Sequence, residues 1–281
     1  MALALLFLAV ALGAYPVVRR LTRRLEALQR GVETFGAGRL SQRVDASGRD
    51  EVAALARSFN AAAQRIEALV ASHRNLLANA SHELRSPLAR MKMAVAMLDD
   101  AAPQARARLG QEIELNIREL DALVEEVLLA SRLDARSDAS AAPHTPVALL
   151  PLAAEEGARV NARVAGDDAT VQGDERLLRR ALRNLLENAQ RYGGSAAPEV
   201  GIRRVAGCVE LRVSDRGPGV PPAERERIFE PFYRLPGHSE HAGGVGLGLS
   251  LVRQIAQAHA GTVRCEAREG AGSCFVLSLP A

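Results

Sequence analysis

The chain opens on an almost unbroken apolar run, Met1 to Val18, after which apolar residues recur at alternating steps of three and four. Val18, Leu21, Leu25, Leu28, Val32 and Phe35 form one stripe. After a Gly-containing connector, Gly36 to Asp50, the spacing resumes at Val52, Leu55, Phe59, Ala62, Ile66 and Leu69. Two short heptad helices joined by an extended link cannot bury such a seam alone, so the pattern implies parallel pairing with a second copy. A third stripe at Leu77, Leu84, Leu88, Met91, Val95 and Leu98, with Ser81 in its one polar gap, begins one residue later than the preceding seam dictates. A phase slip of this kind changes local supercoil winding, and the junction near His73 to Leu77 is where motion of the preceding helices is expected to be converted. The long helix should stop near Asp100, with Ala101-Ala102-Pro103 as the turn, because proline disfavours helix in the residue before it. Leu109, Ile113, Ile117, Leu120, Val124 and Val127 mark a second helix, and two such hairpins make a dimeric four-helix bundle.

From Asp134 to Pro146 the string DARSDASAAPHTP is small and polar and reads as a linker. Beyond it the pattern is mixed. Arg176 to Arg191 is a helix bearing Leu177, Leu178, Leu182, Leu185 and Leu186; strand-like runs occupy Glu199 to Val205, Cys208 to Ser214, Thr262 to Ala267 and Cys274 to Leu279. An α/β sandwich with one sheet covered by helices fits this order.

Composition narrows the picture. A chain of 281 residues with 48% hydrophobic content can bury more than one core, and two or three modules are expected. Aromatics are 3% and Trp is absent, so the cores must be built from Leu, Val, Ile and Ala. A formal charge of +3 is too slight to suggest a nucleic-acid binder. Cys208, Cys265 and Cys274 are odd in number and lack metal-ligand spacing, which reads as buried thiols in a reducing compartment. Arg19, Arg20, Arg23 and Arg24 follow the opening run at once. An apolar stretch just long enough to cross a bilayer, with basic residues after it, predicts a membrane helix whose C-terminal end faces the cytoplasm. A signal peptide carries its charges ahead of the apolar core, and none stand there. With no domain ahead of the run, sensing is expected in or near the membrane, or in a part outside this chain.

The candidate chemistry begins at His82. One residue beyond Ser81, it should point off the seam towards solvent, with Ser86 one turn further on the same side. Pro87 has no N–H for the carbonyl of Glu83 and predicts a bend beside the histidine. An exposed imidazole followed by a carboxylate can accept a phosphoryl group, with Glu83 fixing the tautomer and supporting the cation formed. Taken alone, an exposed histidine is an ordinary surface residue. The string Ser81 to Pro87, SHELRSP, resembles the H-box of bacterial sensor histidine kinases, in particular that of envelope-stress sensors.

Four further elements lie downstream. Asn184 and Asn188, four apart, share one helix face and can hold a hard cation and its phosphates; Arg191 and Tyr192 supply a phosphate contact and a ring to flank a base. Asp215, followed by Gly217 and Gly219, ends a strand with a carboxylate able to accept from an exocyclic amine. Ile228 to Arg234, with Phe232, is an apolar and aromatic segment able to anchor a loop. Gly244, Gly246, Leu247 and Gly248 open a helix, Leu249 to Ala260, whose free N–H groups suit phosphate. Each is weak alone; their order is the signal. NLLENAQRY, DRGPG, IFEPFYR and GVGLGLS resemble the N, G1, F and G2 boxes of the histidine kinase catalytic domain. Pro16, the Asp50-Glu51 pair and Ser58-Phe59-Asn60 resemble a HAMP domain, with Ala53 where that family often has Gly.

The resemblance covers nearly the whole chain. It implies a multidomain protein: a transmembrane helix (1–18), an all-α HAMP coiled coil (19–71), a dimerisation and phosphotransfer hairpin (72–134), a linker (135–146) and an ATP-binding α/β sandwich of the Bergerat type (147–281). The stretch Val147 to Asp174 is short for the strand, helix and strand this requires. By resemblance Asn188 is the Mg²⁺ ligand, Asn184 and Arg191 assist the phosphates, Asp215 reads adenine, and Arg216 to Gly243 forms an ATP lid. ATPases of the gyrase, chaperone and mismatch-repair type share the architecture but carry Glu four residues before the metal-binding Asn; here that residue is Asn184, while Glu187 should point about 100° from Asn188. The implied protein is a homodimer in the bacterial inner membrane. It uses ATP and Mg²⁺ to phosphorylate His82 and passes the group to an Asp of a response regulator, with Ser86 orienting water for the reverse reaction. The alternative is a non-catalytic signalling scaffold whose nucleotide domain only senses ATP or whose dominant act is dephosphorylation.

Overall fold

The computed structural model describes residues 1–98, 102–135, 145–205, 207–235 and 246–281, with side chains for all of these except 4–6, 8–11, 134 and 135. The chain divides into two units, Met1–Asn75 and Leu76–Ala281. In the first, α1 (Ala2–Gly36) is followed by a connector and the start of α2 (Glu51–Leu98). Asp50 caps α2, its Oδ1 accepting from Ala53 N at 2.9 Å. Leu28, Val52, Ala53, Ala56 and Ala63 are buried, and the rings of Phe35 and Phe59 meet edge to face at 5.6 Å. The connector is pinned by Asn60, whose amide donates to Val44 O at 2.9 Å and accepts from Val44 N at 3.0 Å. Among the described residues no helix is long and apolar enough to cross a membrane. Seven of the eighteen residues of the apolar run expected to span one, 4–6 and 8–11, have side chains outside that description.

In the second unit α2 continues through Pro87 without interruption and lies beside α3 (Pro103–Ala135). The helix stop expected at Asp100 falls on residues outside those described, as does most of the 134–146 linker. The buried stripes differ from the expected seams. On α2 the protected positions are Leu76, Ala80, Leu84, Pro87, Met91, Ala94 and Leu98, and on α3 they are Leu109, Ile113, Asn116, Leu120, Leu123, Val127 and Ala130. Leu77, Leu88 and Val95 are about half exposed, as are Ile117 and Val124. Ser81 is also exposed and donates to Leu77 O at 2.8 Å. The reason is that adjacent residues lie about 100° apart on a helix, and a bundle helix carries one stripe for its hairpin partner and another for a second copy. Spacing alone does not say which stripe faces which partner.

The remaining chain forms the α/β sandwich. Strands β1 (Thr145–Ala148) and β3 (Thr170–Gly173) pair antiparallel, while β2 (Arg163–Gly166), β4 (Glu199–Val205), β5 (Cys208–Ser214), β6 (Thr262–Ala267) and β7 (Ser273–Pro280) form a sheet of order β2-β4-β5-β7-β6. Within it β2 is parallel to β4 and the other pairs are antiparallel. The four strands read from the sequence are β4 to β7. The stretch before Asp174 is not too short after all: it holds β1, the ten-residue helix α4 (Leu149–Ala158), β2 and β3. It fits because α4 begins directly at the end of β1 and buries Leu149, Leu152, Ala153 and Gly157.

Helices α5 (Glu175–Tyr192) and α6 (Gly248–Ala258) complete the helical layer, α6 starting one residue earlier and ending two earlier than expected. Leu182, Leu185, Leu251 and Ile255 belong to one core with Ile202, Leu211, Val213 and Phe275 of the sheet. The opposite sheet face carries ion pairs, among them Arg264–Glu210 and Arg212–Glu266. Val276 stands between Arg212 and Arg264 on the neighbouring strands and is fully buried, as expected where long stems lie over an apolar residue. His259 joins the ends of the layer: its Nε2 accepts from Asp174 N at 3.0 Å and its Nδ1 lies 2.7 Å from Ile255 O. Asp174 in turn caps α5, accepting from Arg176 N and Leu177 N.

Candidate nucleotide and phosphoryl site

A cavity of about 540 Å³ lies between the α2–α3 hairpin and the sandwich. On the sandwich side its wall includes Asn184, Asn188, Arg191 and Tyr192 of α5, Asp215 at the end of β5, and Gly219, Gly246 and Gly248. On the hairpin side stand Glu83, Ser86 and Arg90 of α2, and Glu119 and Glu126 of α3.

The sandwich wall is built by local constraints. Asp215 is 5% exposed; its Oδ1 accepts from Gly217 N at 2.8 Å and Ser273 N at 3.2 Å, so the carboxylate is fixed at the cavity edge. Gly217 itself is off the wall, and a Cβ there would sit 2.1 Å from the Tyr192 carbonyl oxygen, so only glycine lets this turn lie against the end of α5. Asn184 is 7% exposed and its Nδ2 donates to Gly248 O at 3.1 Å, so the amide nitrogen secures the start of α6. Asn188, one turn on, is half-buried on the wall. Gly246 has φ +80° and its carbonyl accepts from Phe232 N at 2.9 Å; Phe232 itself takes φ +63°, a conformation costly for a bulky residue. Neither Phe232 nor the fully buried Leu247 lines the cavity, and Gly244 lies outside the described residues, as do 236–243 of the expected lid.

The cavity has the size of small-ligand sites and the stated groups converge on it. Its chemistry fits a polyphosphate nucleotide with a hard cation: a fixed carboxylate for a base amine, an amide on α5, a guanidinium and a helix start. Among the described residues there is no group of three or more His, Cys, Asp or Glu that could cage a metal.

The cavity departs from expectation in two respects. His82 is exposed, as expected, but is not on the wall; Glu83 and Ser86 are. Glu187, read from the sequence as pointing away from Asn188, also lines the cavity, because the wall spans more than one face of α5. Arg90, Glu119 and Glu126 were not singled out by motif. Arg90 was legible in principle, being one turn beyond Ser86 on the same face. Glu126 pairs with Arg180 at 3.2 Å, joining α3 to α5, and burial pushes its carboxyl above the ordinary value.

Comparison with known proteins places these features. Three family models match along the chain: HAMP domain over residues 17–68, His Kinase A (phospho-acceptor) domain over 72–136, and Histidine kinase-, DNA gyrase B-, and HSP90-like ATPase over 173–281. The sensor protein RstB of Escherichia coli is 36% identical over 98% of this chain and 64% of its own length. The sensor protein CutS of Streptomyces coelicolor is 35% identical over 99% of this chain and 70% of its own. The chain thus spans slightly less than two-thirds of RstB. Among solved structures, full-length ShkA in complex with AMPPNP matches 74% of this chain and 45% of its own at 26% identity and TM-score 0.53. The histidine kinase ThkA in complex with response regulator TrrA matches 79% of this chain and 66% of its own with TM-score 0.62 and 22% identity, a likeness of fold.

Proposed function

Because the chain belongs to the two-component sensor histidine kinases, we propose that it transfers the γ-phosphoryl group of ATP to His82 and from there to an aspartate of a response regulator's receiver domain. The observation that carries this reading is the single cavity lined both by the nucleotide motifs (Asn188, Asp215, Gly219, Gly246 and Gly248) and by Glu83 and Ser86 beside the acceptor histidine. In it Asp215 accepts from the adenine amine, Tyr192 flanks the base and Arg191 contacts phosphate. Asn188 would hold Mg²⁺, which when bound neutralises charge on the phosphates. Asn184 acts through its bond to Gly248, which sets the start of α6. Glu83 takes the proton and holds the tautomer of His82. Since His82 itself is off the cavity wall, transfer to it requires α2 to turn relative to the sandwich or the histidine to come from a second copy. Ser86, on the wall as described, serves the reverse reaction, removal of the phosphoryl group from the regulator.

The protein acts as a homodimer, a reading supported by exposed apolar residues on both α2 (Leu77, Leu88 and Val95) and α3 (Ile117, Val124 and Leu128). Residues 1–18 anchor it in the bacterial inner membrane with the remainder in the cytoplasm, supported by the apolar run and the arginines behind it. Residues 19–71 relay, 72–134 dimerise and accept the phosphoryl group, and 147–281 bind ATP.

Incubation with γ-labelled ATP and Mg²⁺ tests this. Acid-labile label should appear on the chain and vanish in His82→Gln. Release of free phosphate with no label on the chain would instead assign Glu187 the part of a hydrolytic base.

A further inference from the structure

Arg90 is tied three ways, twice across the hairpin and once along its own helix. Its Nε donates to Asn116 Oδ1 at 2.8 Å, and its terminal nitrogens donate to Ser86 Oγ at 3.0 Å and to Glu119 Oε2 at 2.6 Å. Asn116 is 4% exposed and interrupts an otherwise apolar stripe, between Ile113 and Leu120. A buried amide costs stability unless it is hydrogen-bonded; this one spends its nitrogen on Glu112 O at 2.7 Å and its oxygen on Arg90. The ion pair to Glu119 is about half exposed on both sides and contributes little to stability. The cluster therefore has small structural value for the polar position it occupies.

The direction of the bonds gives it another. A guanidinium only donates, so Ser86 Oγ must accept from Arg90, and the hydroxyl proton is left to point elsewhere. Both residues line the cavity. We propose that Arg90, held by Asn116, is a positioning residue that fixes the Ser86 oxygen and turns its O–H towards a water attacking the aspartyl phosphate of a receiver domain. The inference rests on the role given to Ser86 above. In that step the water oxygen forms a bond to phosphorus as the bond from phosphorus to the aspartyl oxygen breaks. The carboxylate leaves with the electron pair, inorganic phosphate forms, and one proton of the water passes to solvent. Ser86 donates its hydrogen bond to the water and is unchanged at the end.

Asn116→Leu tests the assignment without touching the cavity, since leucine continues the apolar stripe and keeps the hairpin packed. Two rates are measured: labelling of His82 by γ-labelled ATP, and dephosphorylation of an isolated receiver domain loaded with phosphoramidate, chosen because it accepts label from His82. The expected result is labelling within about twofold of the parent and dephosphorylation about tenfold slower. Asn116→Asp, which keeps an oxygen for Arg90, restores the rate, and Asn116→Leu adds nothing in a Ser86→Ala background. Dephosphorylation at the parent rate, or a full further loss in the Ser86→Ala background, overturns the proposal. A parent chain that labels His82 but never dephosphorylates the receiver removes the role of Ser86 and this inference with it, and leaves the kinase reading standing.

Discussion

At the scale of single residues, the sandwich holds one carboxylate whose environment sets a clear expectation. Glu156 is 3% exposed on α4 and faces α5, where Arg183 donates to both its oxygens at 2.9 and 3.0 Å and Arg179 adds a bond at 3.3 Å. The Arg183 bonds, opposed by burial and aided by Arg179, hold its carboxyl below the ordinary 4.5. The folded state thus favours the ionised form. That contribution is fully present above the unfolded value near 4.5 and is lost as pH falls through the lower folded value. Glu156→Gln should cost about 3 kcal/mol at neutral pH, because it leaves the arginines facing an uncharged amide. Thermal melts from pH 7 to pH 3 would check both claims: the variant should melt lower at neutral pH and lose less than the parent in acid. Parallel curves would mean that Glu156 stays ionised across the range or contributes through shape alone.

At the scale of elements, the connector between α1 and α2 is set by one close approach. A Cβ on Gly31 would lie 2.1 Å from Val44 Cγ1, and Val44 is the residue whose backbone Asn60 holds at both ends. In an exposed helix Gly→Ala gains roughly 1 kcal/mol. Here Gly31→Ala should instead displace the connector at a cost of roughly 1–3 kcal/mol, as overpacking does. Amide exchange over residues 43–45 reads this directly: it should quicken in Gly31→Ala and return to the parent rate when Val44→Ala makes room. Unchanged exchange in the single variant would show that the connector yields without losing its bonds to Asn60.

At the scale of the whole molecule, the apolar positions left exposed on α2 and α3 ask for a second copy. Leu88 is 52% exposed in the chain alone and lies on the stripe adjacent to the one that packs on α3. Leu88→Glu would place a charge in an apolar seam, which is strongly unfavourable if the seam closes and nearly neutral if it does not. Sedimentation at micromolar concentration should find the parent dimeric and Leu88→Glu monomeric. A parent that sediments as a monomer, or a variant that remains a dimer, would remove this seam as the interface.

Local chemistry and periodicity determined much of this protein. The strands β4 to β7, helix α5 and the order of the phosphate and adenine motifs were legible, because alternation, amphipathic spacing and Gly-rich turns are properties of short segments. The exposure of His82 was legible for the same reason. Helix α4 was not, since its ten residues depend on burial against the rest of the sandwich. Nor was the choice between adjacent stripes on α2 and α3, because a rotation of one residue satisfies the spacing equally and only the packing partner separates the two. Glu83 and Ser86 came to face the nucleotide motifs while His82 did not, and Asn116 came to hold Arg90 from another helix. Those juxtapositions join residues distant in the chain, and only tertiary packing brings them together.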